Sequence, residues 1–176
     1  MNNRQLEVQV QEYLFEDDGR IPNDLNLPLL LYPRVLYESE QQPSRCKELL
    51  TKNSWGGAWV DGVFSYHHYH STSHEVLCML SGRASIDFGG PEGETVEVQA
   101  GDVVVIPAGV GHHNGGSSGD FSVVGPTRGG RSPMICVPAR RANARRYWRT
   151  SAMFLYQRPI PCSERTDRCS DTGRKR

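Results

Sequence analysis

Residues 66–82 read YHHYHSTSHEVLCMLSG, and four of the chain's six histidines fall between positions 67 and 75, together with Glu75. His68 and His70 stand two apart. On an extended strand side chains alternate between faces, so these two imidazoles point the same way. Glu75 follows after a short turn, at the head of an apolar run. A third imidazole is available much later, where PAGVGHHN carries His112 and His113. Three imidazoles and one carboxylate make a coordination set for Zn, Ni, Fe(II), Mn or Co. A single histidine beside a turn is ordinarily solvated or hydrogen-bonded and nothing more. An HxH pair, a glutamate at this spacing and a later PxGxxH together favour a metal site.

Side chains so distant in sequence meet only if a framework of strands carries them. Residues 5–15 mix polar and apolar types and suit an edge strand, and DDGRIPND is a turn cluster. LPLLLYPRVL reads as a strand with proline at each side, and SEQQPSRCKELLTKN as a short helix with proline near its start. GGAWVDGVFSYHHYH alternates, so Phe64, Tyr66, His68 and His70 share one face. That parity makes Phe64 and Tyr66 candidates to line a pocket around the histidines, with core packing as their simpler role. HEVLCMLSG, RASIDF, ETVEVQ, DVVVIP and DFSVVG supply further short strands with glycine turns between them. FGGPEGE has the glycines of a phosphate loop, but it precedes no helix and has no lysine, so it reads as a hairpin loop. The pattern predicts an all-β chain, an antiparallel barrel or jelly roll with one short N-terminal helix.

The two histidine stretches resemble the cupin family. Its first motif, G(X)5HXH(X)3–4E(X)6G, runs here through Gly62, His68, His70, Glu75 and Gly82. Its second, G(X)5PXG(X)2H(X)3N, runs through Gly101, Pro107, Gly109 and His112. The closing asparagine is displaced: Asn114 stands two after His112, and position 116 is a glycine. SWGGAW, HHYHSTSHEVL and AGDVVVIPAGVGHHN narrow the likeness to small, single-domain YjlB-type cupins over roughly residues 14–125. The resemblance implies a jelly-roll barrel (double-stranded β-helix) of RmlC-like type. It assigns His68, His70, Glu75 and His112 as ligands of one divalent transition metal (Fe, Ni, Zn or Mn). The rings of His67, His74 and His113 then point elsewhere; His74 is the main rival for a place at the metal, since it adjoins Glu75 and could serve in support of a ligand. Gly62, Gly82, Gly101 and Gly109 suit turns with positive φ.

Net charge is zero, but it is divided. Residues 1–127 carry 7 Lys/Arg against 17 Asp/Glu, a net of −10, while residues 128–176 carry 13 against 3, a net of +10. The organisation expected is an N-terminal segment (1–13), a cupin domain (14–125) and a basic tail without regular structure (126–176). The tail departs from the subgroup, whose chain continues with a YDL…ER…VPLPATDPV pattern. Codons read from the third base of each observed one restore much of that pattern: Met134 followed by Ile135 forces GAT, Asp, and Ile135 followed by Cys136 gives Leu or Met. This implies a single-base deletion near Gly125, with out-of-frame translation beyond it. The charge jump then needs no nucleic-acid partner. The rival is a real basic tail for nucleic acid or an anionic membrane. An uninterrupted genomic or transcript read across codons 120–130 in the present frame would exclude the deletion.

No apolar run reaches the roughly 20 residues that a membrane helix needs, and the N-terminus has no signal-peptide pattern. The five cysteines are odd in number and irregularly spaced, which without an export signal suggests reduced thiols in a cytoplasmic protein, and the lack of a CxxC pair argues against a cysteine zinc site. The function expected is metal-dependent enzymology on a small molecule held in the barrel, of dioxygenase or isomerase type. A non-catalytic small-molecule or metal binder on the same site is the alternative. A sugar-nucleotide epimerase fits less well, because that chemistry wants a metal-free pocket. Homodimerisation through the sheets is the expected assembly.

Overall fold

The computed structural model describes residues 9–126 and the strand Met134–Cys136. In chain order the elements are β1 (Gln11–Tyr13), β2 (Leu29–Tyr32), α1 (Pro43–Lys52), β3 (Trp59–Asp61), β4 (His68–His70), β5 (Glu75–Ser81), β6 (Arg83–Phe88), β7 (Glu94–Gln99), β8 (Val103–Ile106), β9 (His112–Ser117), β10 (Ser122–Gly125) and β11 (Met134–Cys136). One sheet has the order β1-β2-β8-β5-β10-β3 and the other β11-β4-β9-β6-β7, all antiparallel. This is the expected all-β architecture of two facing sheets.

The strand sequences show which faces are covered. Ala84, Ile86 and Phe88 of β6 and Val96 and Val98 of β7 are buried, and the residues between them are not. They meet Leu29, Leu31, Leu77, Met79, Val104, Ile106 and Val123 of the other sheet in the barrel core. β5 and β8 read instead as unbroken apolar runs because both of their faces are covered. Val76, Cys78, Leu80, Val103 and Val105 pack outward against Cys46 and Leu50 of α1 and against Trp55. Cys46 and Leu50 are four apart and so share one helix face. Pro43 opens that helix, where its missing N–H has no consequence.

Three expectations need adjustment. First, the alternating stretch from Phe64 to His70 is not one strand: β4 starts only at His68. The chain bends at Ser65–Tyr66, and the Tyr66 carbonyl lies 3.1 Å from His68 Nδ1. Second, Gly82, Gly101 and Gly109 have positive φ, but Gly62 does not. Third, Met134–Cys136, within the tail expected to lack structure, pairs with β4. The remainder of the tail, residues 127–133 and 137–176, lies outside the described residues, and so does the reading-frame shift inferred there. At the other end Gln11–Tyr13 joins the sheet as its edge strand, ahead of the domain start expected at residue 14.

Candidate metal centre

β4 presents His68 and His70 on one face and buries Tyr69 on the other. His112, the first residue of β9, lies directly opposite His68 in the β4–β9 pair. Such cross-strand partners have neighbouring side chains on the same face, and the two rings are 4.0 Å apart between centroids. The Ser71–His74 turn then crosses to the other sheet and delivers Glu75 at the head of β5, paired with Ile106 at the end of β8.

One nitrogen from each of His68, His70 and His112 lies within 4.8 Å of the other two. Glu75 is not in that mutual set, but its Oε2 is 3.1 Å from His112 Nε2 and 3.5 Å from His70 Nε2. The site is largely enclosed: His68, His112 and Glu75 are 3%, 2% and 3% exposed, and the His70 side chain is 12% exposed.

Several atoms here lack the partners that burial demands. Glu75 Oε2, His70 Nδ1 and His112 Nδ1 are buried without a hydrogen bond. The Glu75 contacts are close enough for ion pairing but are not aligned as hydrogen bonds. A buried polar atom left unpaired costs about 1–3 kcal/mol, so an orphaned carboxylate oxygen among imidazoles fits a cation as its missing partner. His68 already has its supporting bond: Nδ1–H donates to the Tyr66 carbonyl at 3.1 Å. That leaves the Nε2 lone pair for coordination.

Electrostatics agree with this protonation pattern. Burial, and then the neighbouring His112, hold His68 down to about 3. Burial pushes the Glu75 carboxyl up, but its contacts with His112 and His70 outweigh that and hold it at about 2. At neutral pH the site therefore presents a neutral imidazole and a carboxylate, the forms that bind metal.

The turn before His112 is held from several directions. Gly109 N–H donates to the His70 carbonyl at 2.8 Å, and Asn23 N–H donates to the Gly109 carbonyl at 3.0 Å. The buried Asn23 side chain donates to the carbonyls of Glu16 (2.7 Å) and Gly89 (2.8 Å) and accepts from Gly111 N–H (3.2 Å). Asn23 was not singled out from sequence. Its one local sign is its place in the RIPND turn, where it adopts φ +45°.

The remaining histidines fall outside the triad. His113 points away from it and pairs with Asp87 at 2.8 Å, and the His67 ring stacks on His113 at 4.6 Å. His74 is buried and accepts from Ala108 N–H. Phe64 and Tyr66 do not pack in the core: they are 45% and 42% exposed. Their rings stack on each other, and Phe64 meets His68 edge-on at 5.3 Å. Asn114 lies in β9 and donates its N–H to the Phe64 carbonyl.

A cupin-domain family model matches residues 59–124. The uncharacterized protein YjlB of Bacillus subtilis (strain 168) is 45% identical over 125 residues, 71% of this chain and 73% of that protein. Among solved structures, an acireductone dioxygenase from Bacillus anthracis with cadmium in its active centre aligns at TM-score 0.37 and 16% identity, over 48% of this chain and 58% of that one. Procruciferin of Brassica napus aligns at 0.38 and 14% identity over 72% of this chain and 26% of that one. An oxalate decarboxylase of Bacillus subtilis aligns at 0.34 and 19% identity, over 62% and 23%. The chain thus spans less than two thirds of these solved chains, and the scores are too low to carry their chemistry across. The relationship to YjlB, with the family match over the histidine-bearing strands, is of another order, and by it the chain belongs to the cupin family, among its small YjlB-type members.

Proposed function

We propose that this chain is a metal-dependent cupin in which His68, His70, Glu75 and His112 hold one divalent transition metal and a small molecule is turned over in the barrel. The observation that carries the reading is the buried Glu75 Oε2, without a hydrogen bond and set between two imidazoles. When bound, Fe or Ni suits dioxygenase chemistry, and Zn or Mn suits Lewis-acid isomerisation. In this reading His68 binds through Nε2 because Tyr66 occupies its other nitrogen. Glu75 supplies negative charge, which acts more strongly in a low-dielectric interior than in water. Phe64 and Tyr66, beside His68 and open to solvent, line the approach for the small-molecule ligand.

The near-complete enclosure of His68, Glu75 and His112 also suits a second reading, a non-catalytic metal or small-molecule binder. The first experiment is metal content of the purified protein by mass spectrometry, beside His70→Ala. About one equivalent, lost in the variant, supports the site, and the element found selects the substrates to assay. No metal in the native protein, even after reconstitution, overturns it. Turnover on a substrate panel then separates enzyme from binder. Light scattering tests the homodimer that we expect.

A further inference from the structure

His74 is 7% exposed and closes the turn that carries the chain from β4 to β5, one residue ahead of Glu75. Its Nδ1 accepts a hydrogen bond from Ala108 N–H at 3.1 Å. An imidazole nitrogen that accepts has no proton on it, so the neutral ring carries its proton on Nε2. The partner matters more than the bond. Ala108 is the middle residue of Pro107–Ala108–Gly109, the turn that leads from β8 to His112. Val110 N–H closes that turn on the Pro107 carbonyl at 3.1 Å. The bond therefore runs from the residue beside one candidate ligand, Glu75, to the turn that aims another, His112. Those two side chains make the 3.1 Å contact at the heart of the site.

A buried histidine that only filled space would be replaceable by any side chain of similar shape. His74 does something an apolar group cannot: it accepts from a buried backbone N–H that has no other acceptor among the described residues. Without it the Pro107–Gly109 turn keeps its links to His70 and Asn23 but loses its tie to the β4–β5 crossover. Sub-ångström drift between Glu75 and His112 follows, and metal sites are sensitive to that scale of misplacement.

We propose that His74 is a positioning residue, which sets the Glu75–His112 spacing by accepting the Ala108 N–H and so tunes affinity and geometry at the metal centre. The affinity part rests on the metal-site reading above; the clamp itself does not.

The test compares His74→Leu, which keeps bulk without an acceptor, with His74→Asn, whose Oδ1 stands close to the native Nδ1. Co²⁺ affinity by chelator competition, the Co²⁺ visible spectrum and amide hydrogen exchange at Ala108 in metal-free protein are the readouts. H74L is expected to weaken Co²⁺ by roughly 10–100-fold, to shift the ligand-field bands and to speed exchange at Ala108. H74N is expected to stay near the native values. Native affinity and spectrum in folded H74L would overturn the proposal, and so would an H74N as impaired as H74L, which would mean that ring shape rather than the acceptor matters. If H74L does not fold, His74→Gln, whose amide overshoots the Nδ1 position, replaces it with the same expectations. If the native protein binds no Co²⁺, the metal-site reading falls. Exchange at Ala108 across native, H74N and H74L then still decides the clamp: unchanged exchange in H74L refutes it.

Discussion

Asn23 offers the sharpest test of how the second histidine stretch is held. Its side chain makes three hydrogen bonds, to Glu16, Gly89 and Gly111, at 2.7–3.2 Å. It is 5% exposed, and its φ of +45° lies in the left-handed region. Asn23→Ala deletes all three bonds and leaves the Glu16 carbonyl, the buried Gly89 carbonyl and the buried Gly111 N–H short of partners. At about 1 kcal/mol net for each bond, that is roughly 3 kcal/mol. Alanine also tolerates left-handed backbone less well than asparagine, by about 1 kcal/mol. The expected loss is about 4 kcal/mol, a large share of the roughly 5–15 kcal/mol typical of a domain. In a chain of this size that lowers the melting temperature by roughly 10 °C. Asn23→Gly separates the two contributions: it loses the bonds but not the backbone tolerance, so it should retain about 1 kcal/mol more than N23A. Urea unfolding with tryptophan fluorescence reads both variants. A loss below about 1 kcal/mol in N23A would mean that the Asn23 bonds do not hold this turn, and equal losses in N23A and N23G would remove the backbone part of the argument.

Other consequences can be checked in the same protein. Gly109→Ala puts a Cβ 3.1 Å from the Asn23 carbonyl oxygen at φ +88°; it should cost at least about 1–2 kcal/mol in the same unfolding assay and weaken metal binding through His112. Phe64→Ala should cost less than about 1 kcal/mol despite the large side chain, because Phe64 is surface-exposed; a core-sized loss in thermal unfolding would contradict its place at the mouth. Asp87 is held below its ordinary range, first by the Thr95 hydroxyl and, against the opposing push of burial, by His113. Its folded-state pKa is depressed, so its contribution is present above its unfolded value near 4 and is lost as pH falls through the folded one. Asp87→Asn should flatten the decline of stability below about pH 4 in acid titrations followed by circular dichroism. Cys46 and Cys78 are 0% and 2% exposed, so peptide mapping should find both unlabelled by iodoacetamide in native protein and both labelled after unfolding in urea.

Part of the candidate ligand set was legible in the chain because its geometry is local, while the choice of Glu75 and of His112 over His113 came from the resemblance to the family motifs. His68 and His70 share a face through strand alternation alone, and Pro107 with Gly109 announces the turn before His112. The barrel was legible too, since Ala84, Ile86 and Phe88 alternate with polar neighbours. Where local pattern misled, a neighbour intervened. Phe64 and Tyr66 do gather beside His68 as their parity suggests, yet the strand they were read on begins only at His68, and the Tyr66 carbonyl accepts from His68 Nδ1. The unbroken run in β5 does not say what covers its second face, because α1 packs there from a distant part of the chain.

Sequence alone thus determined the residue types of the site, their strand parity and the class of fold, since each depends on spacings of a few residues. Only the tertiary structure decided that Glu75 meets His112 and His70 from the opposite sheet, that His113 turns away to Asp87, and that Asn23 and His74 brace the turn between them. Apart from Glu75–His70, those contacts join residues separated by 26 to 88 positions. Hydrogen bonds over such spans depend on how two sheets face one another, and a single buried asparagine or histidine leaves no periodic mark in the chain by which they could be foreseen.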